Sequence, residues 1–180
     1  MQILDQESQG YLSVLAEQER IRANRVPGVR TVLVVLSSAG VVYDMEALRQ
    51  KILLAYPDAV IFFMTTLGKP VGAACPYEVD LLIDFTGPGQ RQGWFFAKKL
   101  RRLARVAVGR NAGLFRKSIY DRIFDEKANS SRLPAESLAR ERLMQREVMA
   151  LAGVALAQSG ETHPDRGKTI ALDLPPMGRL

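Results

Sequence analysis

Hydrophobic and polar positions follow two patterns along the chain, one typical of buried strands and one of amphipathic helices. A continuous run at Thr31–Leu36 and further apolar runs at Ala59–Met64 and Val79–Asp84 predict buried parallel strands. Shorter runs at Val106–Val108 and Thr169–Leu174 predict a fourth and a last strand. Strands that alternate with helices indicate a mainly parallel sheet covered on both faces. The sequence therefore predicts an α/β, Rossmann-like three-layer domain.

Apolar residues at helical spacing predict helices between these strands and at both ends of the chain. The predicted helices are Ser8–Asn24, Met45–Ala55 with Asp44 as N-cap, a helix with Phe96, Leu100 and Leu103 on its apolar stripe, Leu114–Phe124, and Ala135–Gln158. We divide the chain into a helical extension (residues 1–28), the Rossmann-like domain (29–175) and a short tail (176–180).

Composition narrows the class of protein. The chain has 180 residues, 47% of them hydrophobic, which is enough for a core, and it has no apolar run of transmembrane length. The single cysteine, Cys75, and the single histidine, His163, lack the spacing of a metal site, so we expect no bound metal. A lone cysteine also fits the reducing cytoplasm.

Glycine loops follow the first and third predicted strands. Ser37, Ser38 and Gly40 lie in the first loop, and Gly87, Gln90 and Arg91 lie in the second. Free backbone N–H groups between a strand and a helix suit a phosphate or carboxylate. Neither loop has the GxGxxG or Walker pattern, so we expect no nucleotide cofactor. The alternative is that these glycines only form tight turns.

Basic residues concentrate on the helix after the second loop, and the net charge of the chain is +6. The spacing predicts a basic stripe made of Lys98, Arg101, Arg102 and Arg105. The stripe is either an ordinary solvated surface or a contact for an anionic partner such as a phosphorylated glycolipid, a membrane surface or nucleic acid. No nucleic-acid-binding signature accompanies it, so nucleic acid rests on charge alone.

Two aspartates stand near strand ends, where a general base could act. Asp84 ends the third strand and Asp44 follows the first loop. The alternative roles are helix capping for Asp44 and turn formation for Asp84, and we favour these roles over that of a general base. The sequence has no GxSxG nucleophile pattern.

The order of several segments resembles a known family. The segments are VLVVLSSAG (Val32–Gly40), AYPDAVIFF (Ala55–Phe63), VDLLIDFTG (Val79–Gly87), LFRKSIYDR (Leu114–Arg122) and LARERLMQREVMALAG (Leu138–Gly153). Together they are similar to the N-terminal domain of the ADP-heptose:lipopolysaccharide heptosyltransferases, the family 9 glycosyltransferases.

The resemblance implies one half of a bacterial GT-B glycosyltransferase that acts in lipopolysaccharide synthesis. It implies an acceptor, phosphorylated inner-core lipopolysaccharide, received at the cytoplasmic face of the inner membrane. It also implies a donor-binding domain, so we expect this chain to be inactive unless a donor-binding partner completes it. The acceptor contacts that it implies are Ser37, Ser38, Gly40, Gly87, Gln90, Arg91 and Arg110.

The chain departs from the family at its catalytic positions. Val41 follows Gly40 where the family has its proposed aspartate base, so Asp44 is the remaining candidate. Gln90 occupies the slot of a common lysine, and Ala112-Gly113 replaces an Arg-Glu pair.

Three functional hypotheses therefore stand. The first is acceptor binding for a glycosyltransferase. The second is a non-catalytic module that uses its terminal helices for protein contacts, including a homodimer. The third is binding of anionic surfaces or nucleic acid through the basic stripe.

Overall fold

The structure, a computed structural model, describes residues 2–37, 43–65, 70–71, 78–87, 97–111 and 118–156, and it describes the side chains of these residues except at 2–9, 70–71 and 111. The elements in chain order are α1 (Gln2–Ala23), β1 (Thr31–Leu36), α2 (Met45–Ala55), β2 (Val60–Thr65), β3 (Pro70–Val71), β4 (Val79–Asp84), β5 (Ala104–Asn111), β6 (Arg122–Asp125), a 3-10 turn (Ser130–Arg132) and α3 (Ser137–Leu151). Residues 97–101 are also helical. No helix in these ranges has both the length and the apolar content that crossing a bilayer requires.

Six strands in the described ranges form one sheet in the order β3-β2-β1-β4-β5-β6. Five of them run parallel, and the two-residue β3 pairs antiparallel with β2 at the edge. In the centre, Val34 of β1 pairs with Phe63 of β2 on one side and with Ile83 of β4 on the other. The predicted α/β, mainly parallel architecture is confirmed.

The side chains of β1 show the three layers directly, because successive residues of a strand point to opposite faces of the sheet. Val32 and Val34 belong to one buried cluster, together with Ile52 of α2 and Val148 of α3. Leu33 and Val35 belong to a second cluster with Ala97 and Leu100 of the helical segment 97–101. Both faces of the sheet are therefore covered by helices.

Tyr56, Gly153 and Arg122 join the helices at the amino edge of the sheet. The Tyr56 hydroxyl accepts a hydrogen bond from Val26 N at 3.1 Å and donates one to Ala152 O at 2.6 Å. Gly153 has φ +76° and packs directly on the backbone of Arg25. Arg122 donates from Nη1 to the carbonyls of Asn24 and Leu151, so one guanidinium caps the ends of α1 and α3.

One predicted helix is wrong. Residues 122–125, the last part of the helix predicted at Leu114–Phe124, form strand β6, and residues 118–119 form a turn. Ile123 packs against one core cluster and Phe124 against the other, which is the alternation of a strand. Pairing with β5 decides the outcome, because the spacing of Phe115, Ile119 and Ile123 alone also fits a helix.

Other predicted boundaries shift. β5 is longer than Val106–Val108, and Arg105 lies on this strand rather than on the preceding helix. The last helix ends at Leu151, seven residues before the predicted end at Gln158, because the chain turns at Gly153. The strand predicted at Thr169–Leu174 lies outside the described residues.

Candidate ligand-binding site

The chain changes direction across the sheet at the carboxyl ends of β1 and β4. β2 lies on one side of β1, and β4 returns on the other side. α2, which follows β1, and the helical segment 97–101, which follows β4, pack on opposite faces of the sheet, and ligands of such folds bind at the carboxyl ends of the strands at this position. Phe85 N donates to Val35 O at 3.0 Å and holds the end of β4 against β1.

Tyr43 contacts the residues that directly follow β1 and β4. Its hydroxyl accepts a hydrogen bond from Ser37 N at 3.1 Å, and its ring stacks on Phe85 with 5.8 Å between centroids and 15° between planes. Burial raises the pKa of Tyr43 above its ordinary value, which favours the protonated phenol. Tyr43 thus connects Ser37, which follows β1, with Phe85, which follows β4.

Asp44 sits beside this pair and caps α2. Its Oδ1 accepts a hydrogen bond from Ala47 N at 2.9 Å. This is the N-cap role expected from the sequence. It gives the carboxylate a structural function, and Asp44 remains the sequence-based candidate for a base.

Asp84 closes β4 and is almost completely buried, at 1% exposure. Its Oδ1 accepts from Thr86 N at 2.8 Å, which is the turn predicted at this position. Its Oδ2 accepts from the Tyr120 hydroxyl at 2.5 Å. The Tyr120 ring lies over Gly109, where an added Cβ would come within 2.5 Å of the ring.

Arg110 lies at the same edge and is 5% exposed. Its Nη1 donates to Glu141 Oε2 of α3 at 2.7 Å, and its Nε lies 3.7 Å from Glu126 Oε1. Its guanidinium also fills the space that a side chain at Gly87 would need. One buried cation thereby joins the end of β5, the segment after β4, the segment after β6 and the first half of α3.

Neighbouring carboxylates of the same chain neutralise the positive charge of Arg110. Glu126 and Glu141 offset it, and Arg140 adds a 3.4 Å contact to Glu126 Oε2. The second oxygen of Glu141 and the Nε of Arg110 are buried without a hydrogen-bond partner. We expect Arg110 to position the surrounding segments rather than to bind an anion, because Glu126 and Glu141 already neutralise its charge.

The structure brings three of the predicted acceptor residues to this edge: Ser37, Gly87 and Arg110. The other four, Ser38, Gly40, Gln90 and Arg91, lie outside the described residues. Tyr43, Tyr120, Glu126 and Glu141 were not predicted. Glu126 and Glu141 reach the site through β6 and the docking of α3, and neither event has a local signal in the sequence.

The basic residues form a different surface from the predicted helical stripe. Arg101 pairs with Asp121 at 2.8 Å, and Arg105 lies 3.5 Å from Asp80 and donates to Pro27 O at 2.7 Å. Lys98 and Arg102 are exposed. Arg101 and Arg105 are therefore engaged near the amino edge of the sheet, away from the carboxyl ends of the strands.

No match was found when the chain was compared with protein-family models, curated proteins and solved structures. Within the described ranges, no three His, Cys, Asp or Glu side chains group as metal ligands. The described edge thus presents hydrogen-bonded polar side chains at the carboxyl ends of β4 and β5.

Proposed function

We propose that the chain binds a phosphorylated saccharide acceptor at the carboxyl edge of the sheet, as the acceptor-binding part of a heptosyltransferase-like GT-B glycosyltransferase. A donor-binding domain, on this or another protein, would complete the enzyme. The sequence resemblance suggests the substrate class, and the switch point between β1 and β4 supports the location.

The observation that carries the location is the buried Arg110 network. A cation held by Glu141 at 2.7 Å and packed against Gly87 keeps the start of the β4 loop in one conformation. Preorganised loops bind a ligand with less loss of conformational entropy. Arg110 is therefore assigned a positioning role, and direct contact with phosphate falls to Arg91 of the same loop.

Calorimetric titration tests this division of roles. The ligand is deacylated, phosphorylated inner-core oligosaccharide, and the comparison ligand is the same oligosaccharide after phosphatase treatment. We expect the phosphorylated form to bind and the treated form to bind at least about tenfold more weakly, because a charge-assisted hydrogen bond contributes about 1.5–3 kcal/mol. ADP, a fragment of the donor, should not bind to this chain.

A pair of arginine variants separates specific from general electrostatic binding. Arg91→Ala should weaken the phosphorylated ligand about tenfold or more. Arg102→Ala changes the net charge equally at an exposed position near the amino end of β5, and it should have little effect. Equal losses in both variants, or no binding by the parent chain, would refute the proposal.

A further inference from the structure

One stretch of α1, residues 10–16, exposes several large apolar side chains. Residues 10–16 are all exposed, and four apolar side chains follow one another there: Tyr11 (67%), Leu12 (63%), Val14 (48%) and Leu15 (39%). The second half is attached, since Arg20 pairs with Glu147 at 3.1 Å and Asn24 bonds Ala150 O at 3.1 Å. An apolar helical segment exposed in this way is marginally stable in water without a partner.

The spacing of residues on α1 identifies the kind of partner. Steps of four and three residues along the helix define a line, here called the α1 seam, that consists in the sequence of Leu4, Ser8, Tyr11, Leu15, Gln18 and Arg22. Alternating steps of this kind form the a and d positions of a two-stranded coiled coil. Leu12 and Val14 then flank the seam at e and g positions. Ser13 and Glu17 line the groove between α1 and α3, on the side turned away from the seam.

We propose that two copies of the chain associate through their α1 seams, antiparallel, with the two-fold axis near residue 13. The seam is self-complementary about that point. Tyr11 would lie opposite Leu15 of the second copy, and Ser8 opposite Gln18 of the second copy. The apolar residues therefore meet at the centre and the polar residues meet on either side of it.

Charge selects the antiparallel orientation. Arg22 lies on the seam and is exposed, whereas Arg20 is already paired with Glu17 and with Glu147 of α3. Antiparallel pairing brings Arg22 beside Asp5, which the sequence places near the start of α1, and the helix dipoles then attract each other. Parallel pairing would instead place Arg22 opposite Arg22 of the second copy.

Sedimentation equilibrium of the full chain tests the association. We expect a reversible dimer, and we expect the double variant Leu12→Gln, Leu15→Gln to raise the dissociation constant by at least about tenfold. The control is Leu54→Gln, which changes an apolar side chain on α2 that is 75% exposed and should leave the constant unchanged. A parent chain that stays monomeric up to about 0.5 mM, or a dimer that the double variant retains, would overturn the proposal.

Single-cysteine variants in a Cys75→Ser background test the orientation. With the axis near residue 13, the two copies of position 12 lie about 3 Å apart along the helix axis, and the two copies of position 18 about 15 Å apart. Leu12→Cys should therefore form an intermolecular disulfide under mild oxidation, and Gln18→Cys should not. The reverse result would overturn the antiparallel arrangement.

Discussion

Arg110 and Glu141 are 31 residues apart in the chain, yet Arg110 Nη1 donates to Glu141 Oε2 at 2.7 Å. This ion pair ties the end of β5 to the first half of α3, and with Glu126 it forms the floor of the candidate site. Both side chains are largely buried, at 6% and 14% exposure. The two residues are therefore strongly coupled in the folded protein.

Arg110→Met should be strongly destabilising, because it leaves the carboxylates of Glu126 and Glu141 buried without a cation. The expected loss is about 3–5 kcal/mol of unfolding free energy, measured in urea. Arg142→Met changes an exposed arginine of α3 and should cost less than about 0.5 kcal/mol. Similar losses of unfolding free energy in Arg110→Met and Arg142→Met would contradict a stabilising role for the buried ion pair.

Tyr120→Phe removes the donor to the buried carboxylate of Asp84 while keeping the ring over Gly109. We expect a loss of about 1.5–3 kcal/mol, the range for hydrogen bonds to charged groups. Ser131→Ala, which removes a hydroxyl from an exposed residue, is the control and should be nearly neutral. A Tyr120→Phe variant as stable as the parent would contradict the role assigned to this hydrogen bond.

Two glycines with positive φ allow backbone strain and steric collision to be separated. Gly28→Ala has φ +64° and no atom within 4 Å of the new Cβ, so it should cost only about 1–2 kcal/mol for the left-handed backbone. Gly153→Ala has φ +76° and would also place its Cβ 2.7 Å from Arg25 Cα. We expect it to cost about 1–3 kcal/mol more. Equal losses of unfolding free energy would mean that the junction of α1 and α3 adjusts to accept the added methyl group.

Alkaline pH should destabilise the fold through two tyrosines. Burial raises the pKa of Tyr43 and Tyr56 above the ordinary value of 10.0. As pH rises past about 10, the unfolded chain loses these protons before the folded chain does, so the unfolding free energy falls there and not at lower pH. Urea unfolding from about pH 8 to about pH 11 measures the slope.

The variant Tyr56→Phe should make that slope shallower. It should also lower stability at neutral pH by about 1–3 kcal/mol, because Val26 N and Ala152 O lose a buried partner. An unchanged alkaline slope would show that the Tyr56 phenol does not titrate with unfolding.

Local signals in the sequence were sufficient for the centre of the fold. Thr31–Leu36 and Val79–Asp84 are mainly apolar runs, and both strands occur with the predicted bounds. Asp44 caps α2 as predicted, because capping depends on residues close in sequence. By contrast, β6 forms because it pairs with β5, and no local pattern around Ile123 separates a strand from a helix.

The candidate site was predicted in part for the same reason. Ser37 and Gly87 follow recognisable strands, so their meeting at one edge follows from the topology. Arg110 is one of the predicted acceptor residues. No local pattern predicts its burial, because Glu141 approaches it only when α3 packs on the sheet. The assignments of Ser38, Gly40, Gln90 and Arg91 stay predictions.

Strand β3 affects how the sheet meets other chains. It consists of Pro70 and Val71, and among the described strands it is the outermost on the β2 side. Proline has no N–H, so a β-strand from another molecule would find a missing donor at Pro70. A proline at a sheet edge interrupts the template that β-aggregation requires. Pro70 therefore protects this edge of the described sheet against growth by added strands.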